Sequence, residues 1–292
     1  AADTLNMIKN GKEFGIEASV SRINLAAIIE RKNGISDQIR MGMEALLEAN
    51  GVDFIQGGGK VKNAREISVG ETTIVAKKII LATGSSLDIP DIAGLKNAVL
   101  TTDQLFEMND VPASVLVWGE ASHIDVEVAS LLNSLGSKVT LATASARILP
   151  AEDHDTSQRI AQAFREQGIQ VIPGAILESV SPANKAFMAK LSGRKENTVE
   201  IAKIAISARK PNTAGLGLNE VGIRFNEVGS LWIDEQLQTS VAGIYAIGDL
   251  TGGWMNSHTA SAMAVTAAEN AMGDAKKFSF DLIPRGMWAY PQ

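Results

Sequence analysis

Ile244-Tyr245-Ala246-Ile247-Gly248-Asp249-Leu250-Thr251-Gly252-Gly253 is the stretch on which the reading of this chain turns. Its apolar start predicts a short strand that runs into a sharp turn at Gly248, and a helical pattern follows from about Ser257. A turn of this kind delivers the Asp249 carboxylate to the rim of a sheet. Open α/β sheets bind ligands at the carboxyl ends of their strands. A carboxylate placed there can accept hydrogen bonds from sugar or polyol hydroxyls.

Upstream, Leu81-Ala82-Thr83-Gly84-Ser85 repeats the design: Ile79-Ile80-Leu81 reads as a buried strand ending in Thr83-Gly84. Helical apolar spacing runs from Asn24 to Ala49 and stops at Gly51. Val52 to Ile55 reads as a strand and Lys60 to Ala76 as a pair of short strands. Thr101-Thr102-Asp103 marks a helix start. From Ser114 a βαβ unit is expected: strand 115–117, helix 126–135 closed by Gly136, strand 138–141. A helix from about Asp155 to Gln167, a strand at 170–172, a hairpin-like stretch from Leu177 to Lys203 and a strand at 204–206 follow. Residues 258–272 form the last helix. Strands alternating with helices in this way indicate an α/β chain with parallel sheets.

The chain has 292 residues, of which 45% are hydrophobic and 21% charged, enough for two domains with real cores. A net charge of −6 with scattered basic residues leaves no nucleic-acid footprint. No apolar run approaches the roughly 20 residues needed to span a bilayer. No signal-peptide pattern opens the sequence, and a cytoplasmic setting is expected. Cysteine is absent, so this chain carries no disulfide, no thiolate metal site and no dithiol of its own.

The motifs in order are Ala82-Thr83-Gly84-Ser85, Leu131-Leu132-Asn133-Ser134-Leu135-Gly136-Ser137-Lys138-Val139, Arg147-Ile148-Leu149-Pro150 and Arg209-Lys210-Pro211-Asn212-Thr213. The 244–253 stretch, His258 and Ala267-Ala268-Glu269-Asn270 complete the series. Each is weak alone, but together, in this order and spacing, they resemble the pyridine nucleotide-disulfide oxidoreductases, and the dihydrolipoamide dehydrogenases in particular. The resemblance implies a Rossmann-like two-domain flavoprotein fold, with an NAD-binding-type domain (112–241) inserted into a partial FAD-binding-type domain (1–111 and 242–284). Residues 285–292 would then be the stub of a dimerisation domain. The first strand, its Gly-rich turn and the redox Cys pair of the family would precede Ala1. A partner segment or chain is therefore expected to complete the FAD-type sheet, and the full-length protein would be a homodimer.

The resemblance places the flavin contacts on Thr83, Gly84, Gly248 and Asp249, with His258 at the start of the last helix, and assigns no catalytic residue to this chain. FAD is the implied cofactor, with NAD at a second site. That second site is eroded. Counting back from Glu127, the three glycines of G-x-G-x-x-G fall on Glu120, Ser122 and Asp125; shifting by one residue keeps only Gly119. Glu120 and Asp125 would also repel a diphosphate. The acid that holds the adenosine ribose falls on Thr143, and Arg147 is the nearest Arg. Glu127 matches a family glutamate on the nicotinamide side, or is a solvated charge. His258 is a titrating group or a polar contact at a helix start. Trp254 packs or covers the flavin side. Glu152-Asp153-His154-Asp155 reads as an acidic helix start rather than a metal site.

Two functions follow. The chain is a fragment or subunit of an FAD-dependent oxidoreductase that passes electrons between NAD(H) and a disulfide or dithiol. Alternatively, it is a non-catalytic pseudo-enzyme or interaction subunit that keeps the fold and has lost dinucleotide binding. A sequence that represents only part of a longer protein would also explain the segments that the resemblance expects beyond both ends.

Overall fold

The computed structural model describes residues 1–193 and 196–291. Its elements run α1 (Ala2–Lys9), α2 (Leu25–Ala49), β1 (Gly59–Asn63), β2 (Glu66–Val69), β3 (Thr72–Val75), β4 (Ile79–Leu81) and β5 (Ser85–Leu87). There follow α3 (Leu95–Ala98), β6 (Val99–Thr101), α4 (Thr102–Leu105), β7 (Ser114–Gly119), α5 (His123–Ser134), β8 (Lys138–Thr143), α6 (His154–Glu166) and β9 (Gln170–Pro173). The last are β10 (Ala175–Ala183), β11 (Ala186–Gly193), β12 (Asn197–Ile201), β13 (Lys203–Ile206), β14 (Arg209–Pro211), β15 (Ile244–Ala246) and α7 (Ser257–Ala271).

The chain forms two compact units. The first holds residues 1–44, 89–208 and 286–292; the second holds 45–88 and 209–285. These cuts differ from the expected cofactor domains at 111/112 and 241/242. Residues 99–101, expected ahead of the inserted domain, form β6 and pair in parallel with β13. Residues 209–241 group with 45–88.

The first unit is built on a five-stranded sheet in the order β6-β13-β7-β8-β9, every pair parallel. Parallel strands need both faces covered, so their sequences read as continuous apolar runs. Val115, Leu116 and Val117 of β7 are at most 1% exposed. Successive side chains point to opposite faces. Val115, Val117, Val139 and Leu141 accordingly pack with Val126, Ala129 and Leu132 of α5 and Phe164 of α6. Leu116 and Ala142 pack with Leu177, Ala189, Leu191 and Ile201 of the antiparallel sheet β10-β11-β12. Burying a side chain such as Phe164 contributes about 1.5–3 kcal/mol. The 177–203 stretch is therefore a three-stranded layer, one strand more than a hairpin.

Helix ends follow their side chains. Thr101 caps α4: Gln104 N–H donates to its Oγ1 (3.1 Å), and Gln104 Oε1 accepts from Thr101 N–H (3.0 Å). Asp153 caps α6, accepting from the N–H groups of Asp155 (2.8 Å) and Thr156 (3.4 Å). That capping accounts for the acidic run at 152–155.

The second unit holds the antiparallel sheet β1-β2-β3, the antiparallel pair β14-β5 and the parallel pair β15-β4. The expected pair of strands over 60–76 is thus three. Ile79, Leu81, Ile244 and Ala246 share a core with Val61, Leu218 and Leu231. Tyr245 and Ile247 face the other way, onto Met263 and Ala267 of α7. The expected strand at 52–55 is not formed: all four residues are exposed and pair with no strand among the described residues. Without a partner, an extended segment gains no ladder hydrogen bonds.

Gly94 shows how close the packing is. Its φ is +78°, and a Cβ there would stand 1.9 Å from the Val180 carbonyl oxygen. Gly94→Ala is expected to lower stability by at least about 2 kcal/mol, read as a fall in the urea midpoint with an unchanged slope.

Candidate functional site

Within the second unit, β4 and β15 run side by side in parallel, so both end at the same rim. Ile247 N–H still donates to Leu81 O (3.0 Å), and the chain then breaks away at Gly248. Gly248 has φ +66°, and an added Cβ would meet the Ala260 Cβ at 3.2 Å. Both the turn and the close passage of α7 therefore favour glycine. The 3-10 turn Gly248–Thr251 follows and carries Asp249 half-exposed.

Asp249 is held by a relay. Arg209 Nε donates to Ser85 Oγ (2.7 Å), and Ser85 Oγ donates to Asp249 Oδ2 (2.6 Å). Arg209 Nη2 also donates to the Ser85 carbonyl (2.8 Å). The guanidinium polarises the hydroxyl, which strengthens its bond to the carboxylate. The other Asp249 oxygen has no protein partner among the described residues and is available to a hydroxylated ligand.

The neighbouring turn is tied to β14. Thr83 Oγ1 donates to Asn212 O (2.9 Å), Asn212 Nδ2 donates to Thr83 O (2.9 Å) and Asn212 N–H donates to Gly84 O (2.9 Å). A Cβ added at Gly84 would meet nothing within 4 Å, so the backbone there is open to a ligand. Thr83, Gly84, Gly248 and Asp249 thus share one unit, as does His258. His258 is exposed, and its Nε2 lies 2.8 Å from Pro284 O. Trp254 lies under the Arg285 guanidinium, 3.7 Å from its ring centre. Ser85, Arg209 and Asn212 lie within the quoted motifs, but the sequence does not single them out as site residues. Their partnership spans more than 120 positions, and no local pattern announces it.

Gly119 and Glu127 belong to the first unit. Glu127 Oε1 accepts from the Trp288 backbone N–H (2.9 Å), and Ser130 Oγ accepts from Tyr290 N–H (2.9 Å). Trp288 and Tyr290 of the expected stub are thus bonded to α5, whereas Arg285 groups with the second unit and Gln292 is outside the described residues. At the end of β7 the turn uses a left-handed backbone at Ala121 (φ +50°) where a glycine would be unstrained. Asp125 is 1% exposed. Its Oδ2 accepts from Ser122 N–H (3.0 Å) and its Oδ1 from Ser207 Oγ (2.5 Å). Burial pushes its carboxyl above the ordinary range, opposed by the Ser207 and Ser122 hydrogen bonds and aided by Glu120. Arg147 donates to the carbonyls of Pro150 and Glu152 (2.9 Å each), so it serves its own loop. Among the described residues no group of three acidic, His or Cys side chains could hold a metal.

Two outcomes follow from these environments. Because the folded state holds the Asp125 proton to higher pH than the unfolded chain, this group favours folding at acid pH. That contribution is lost as pH rises through the shifted value. Asp125→Asn should therefore gain in Tm relative to wild type on going from acid to neutral pH, as followed by circular dichroism. Thr259, fully buried in the first turn of α7, has no partner for its hydroxyl among the described residues. Thr259→Val should leave Tm unchanged or raise it, since an unsatisfied hydroxyl costs about 1–3 kcal/mol.

The sequence pattern of the pyridine nucleotide-disulphide oxidoreductases matches residues 5–264. The dihydrolipoyl dehydrogenase of Acholeplasma laidlawii is 33% identical over 285 residues, 94% of this chain and 83% of the relative. That of Chlamydia pneumoniae is 30% identical over 295 residues, 100% of this chain and 63% of the relative. Among solved structures, the Cu(II) complex of the HOCl-induced flavoprotein disulfide reductase RclA from Escherichia coli superposes with a TM-score of 0.78 at 26% identity. It covers 94% of this chain and 61% of that one. LpdA from Mycobacterium tuberculosis, at 24% identity and a TM-score of 0.87, shares the fold over 99% of this chain and 64% of its own. The chain thus spans less than two thirds of the length of several of these proteins. With most of its length matched, the chain belongs to the pyridine nucleotide-disulphide oxidoreductases, a family of enzymes that bind FAD and NAD(P).

Proposed function

We propose that this chain supplies the flavin-ribityl side of an FAD-dependent oxidoreductase of the dihydrolipoamide dehydrogenase type. The observation that carries the reading is Asp249, held at the carboxyl end of β15 by Ser85 and Arg209 with one oxygen left over. A ribityl chain is a polyol, and its hydroxyls are donors that suit such a carboxylate. Gly84 offers bare backbone beside it, and the N-terminus of α7, at His258, offers free N–H groups to a polar ring edge. When bound, FAD would supply two-electron transfer between NAD(H) and a disulfide or dithiol. The residues of this chain would bind and orient it. The dithiol has to come from outside this chain, which contains no cysteine.

A further segment or chain is part of this reading. On its far side β15 is held by residues 237–239, with Thr239 N–H donating to Ile244 O (2.8 Å) and Ala246 N–H to Leu237 O (3.1 Å), whereas β4 pairs only with β15 among the described residues. The outer edge of β4 therefore exposes its ladder groups, and Ile80 is 38% exposed. An added strand would satisfy those groups, and a homodimer of the full-length protein belongs to the same proposal. The alternative, a relative that keeps the fold without a redox role, is favoured by one observation: Asp125 stands in the second dinucleotide turn.

The purified chain, incubated with FAD and desalted, should retain visible flavin absorbance. Asp249→Ala and Ser85→Ala should each weaken FAD by about tenfold or more, the loss of one charge-assisted hydrogen bond. If wild type and both variants hold flavin equally, Asp249 has no part in binding it. If wild type holds none even after addition of a peptide spanning a relative's first strand and turn, the alternative stands.

A further inference from the structure

We infer that Asp125 closes the phosphate-binding turn of the first unit from within, so that this chain takes no nicotinamide dinucleotide there. A diphosphate at a strand-turn-helix junction needs a free N–H at the helix start, bare backbone to approach, and no like charge nearby. β7 and α5 build that junction, but each requirement is spent internally. The Ser122 N–H donates to Asp125 Oδ2 at 3.0 Å, and the Ser122 hydroxyl donates to the same atom at 3.3 Å. The bare position is Gly119, and the Asp125 carboxyl lies over it: a Cβ on Gly119 would stand 3.1 Å from Oδ2 and 3.2 Å from Oδ1. The exposed Glu120 places a further carboxylate at the mouth.

Two other elements converge on the same result. Ser207, just past β13, donates to Asp125 Oδ1 at 2.5 Å and pins the side chain in its inward position. Thr143, at the end of β8, is fully buried, and its Oγ1 accepts from Ser145 N–H at 3.2 Å. That hydroxyl is engaged below the surface, where it cannot reach a ribose. Simple erosion of a glycine motif would leave an empty or disordered turn. Here a carboxyl with donors on both oxygens replaces the third glycine and satisfies the helix start, as an anionic ligand would. Asp125 is thus a specificity-determining residue that acts by exclusion. The inference rests on the family fold and not on the flavin reading.

The test is an NADH titration of the full chain, followed by calorimetry and by quenching of Trp118, which adjoins the turn; Trp118→Phe identifies that residue's share of the signal. Three proteins are compared: wild type, E120G/S122G with Asp125 kept, and E120G/S122G/D125G. Wild type and the double variant should show no saturation at micromolar NADH, and the triple variant should bind at least about tenfold more tightly. Micromolar saturation of wild type overturns the inference. So does a double variant that gains as much as the triple, or a triple variant that keeps its circular dichroism and gains nothing. If the triple variant does not fold, the wild-type titration decides: saturation overturns the inference and its absence supports it. Flavin retention reports on the second unit and NADH binding on the first, so the two readings fail separately.

Discussion

The structure depends on one requirement: both faces of β7 must be kept from water. Val115, Leu116 and Val117 leave no polar side to turn outward. A strand of this kind is stable only with a parallel neighbour on each edge and a layer on each face. β13 and β8 supply the edges, α5 and α6 one face, and the β10–β12 layer the other. Once those layers are in place, the end of β7 and the start of α5 have a fixed separation. The 119–125 turn is therefore built whether or not anything binds to it.

The two units carry the same device, a strand ending in a Gly turn with a carboxyl side chain, and use it in opposite ways. Asp249 remains half-exposed, with one oxygen engaged by Ser85 and the other without a protein partner among the described residues. Asp125 is turned inward, with donors on both oxygens. What separates them is the position of a serine. Ser85 is part-buried with Arg209 behind it, and the carboxylate that it holds stays half-exposed. Ser207 follows a buried strand and holds the Asp125 carboxyl inward, where burial raises its proton affinity against the opposing pull of the Ser207 hydrogen bond.

Much of the fold could be read from local chemistry. The apolar run of β7, the helix closed by Gly136 and the turn at Gly248 are short-range patterns, and the structure keeps them. Val52–Ile55 has strand composition but no partner, and strand stability is a property of pairs. β6 is only three residues long and pairs with a strand more than a hundred positions away. Residues 177–203 alternate as a hairpin does, but the third strand depends on a face that Leu116, Ala142, Ile204 and Ile206 of the parallel sheet help to create. At the site, Thr83, Gly84 and Asp249 stood out because each sits in a strand-end turn. Ser85 and Arg209 did not, because their role is to hold another residue.

By itself, the sequence determined the family, the α/β class, the two strand-end turns and the lack of any dithiol, because these are set by residue type and near-neighbour spacing. The tertiary structure decided which carboxyl stays available. Asp125 and Asp249 look alike along the chain, each a short acid near a glycine turn. Burial and the distant serines Ser207 and Ser85 make one a plug and leave the other open to a ligand. Solvation and hydrogen-bond partners depend on what the fold brings near, and no local pattern encodes that.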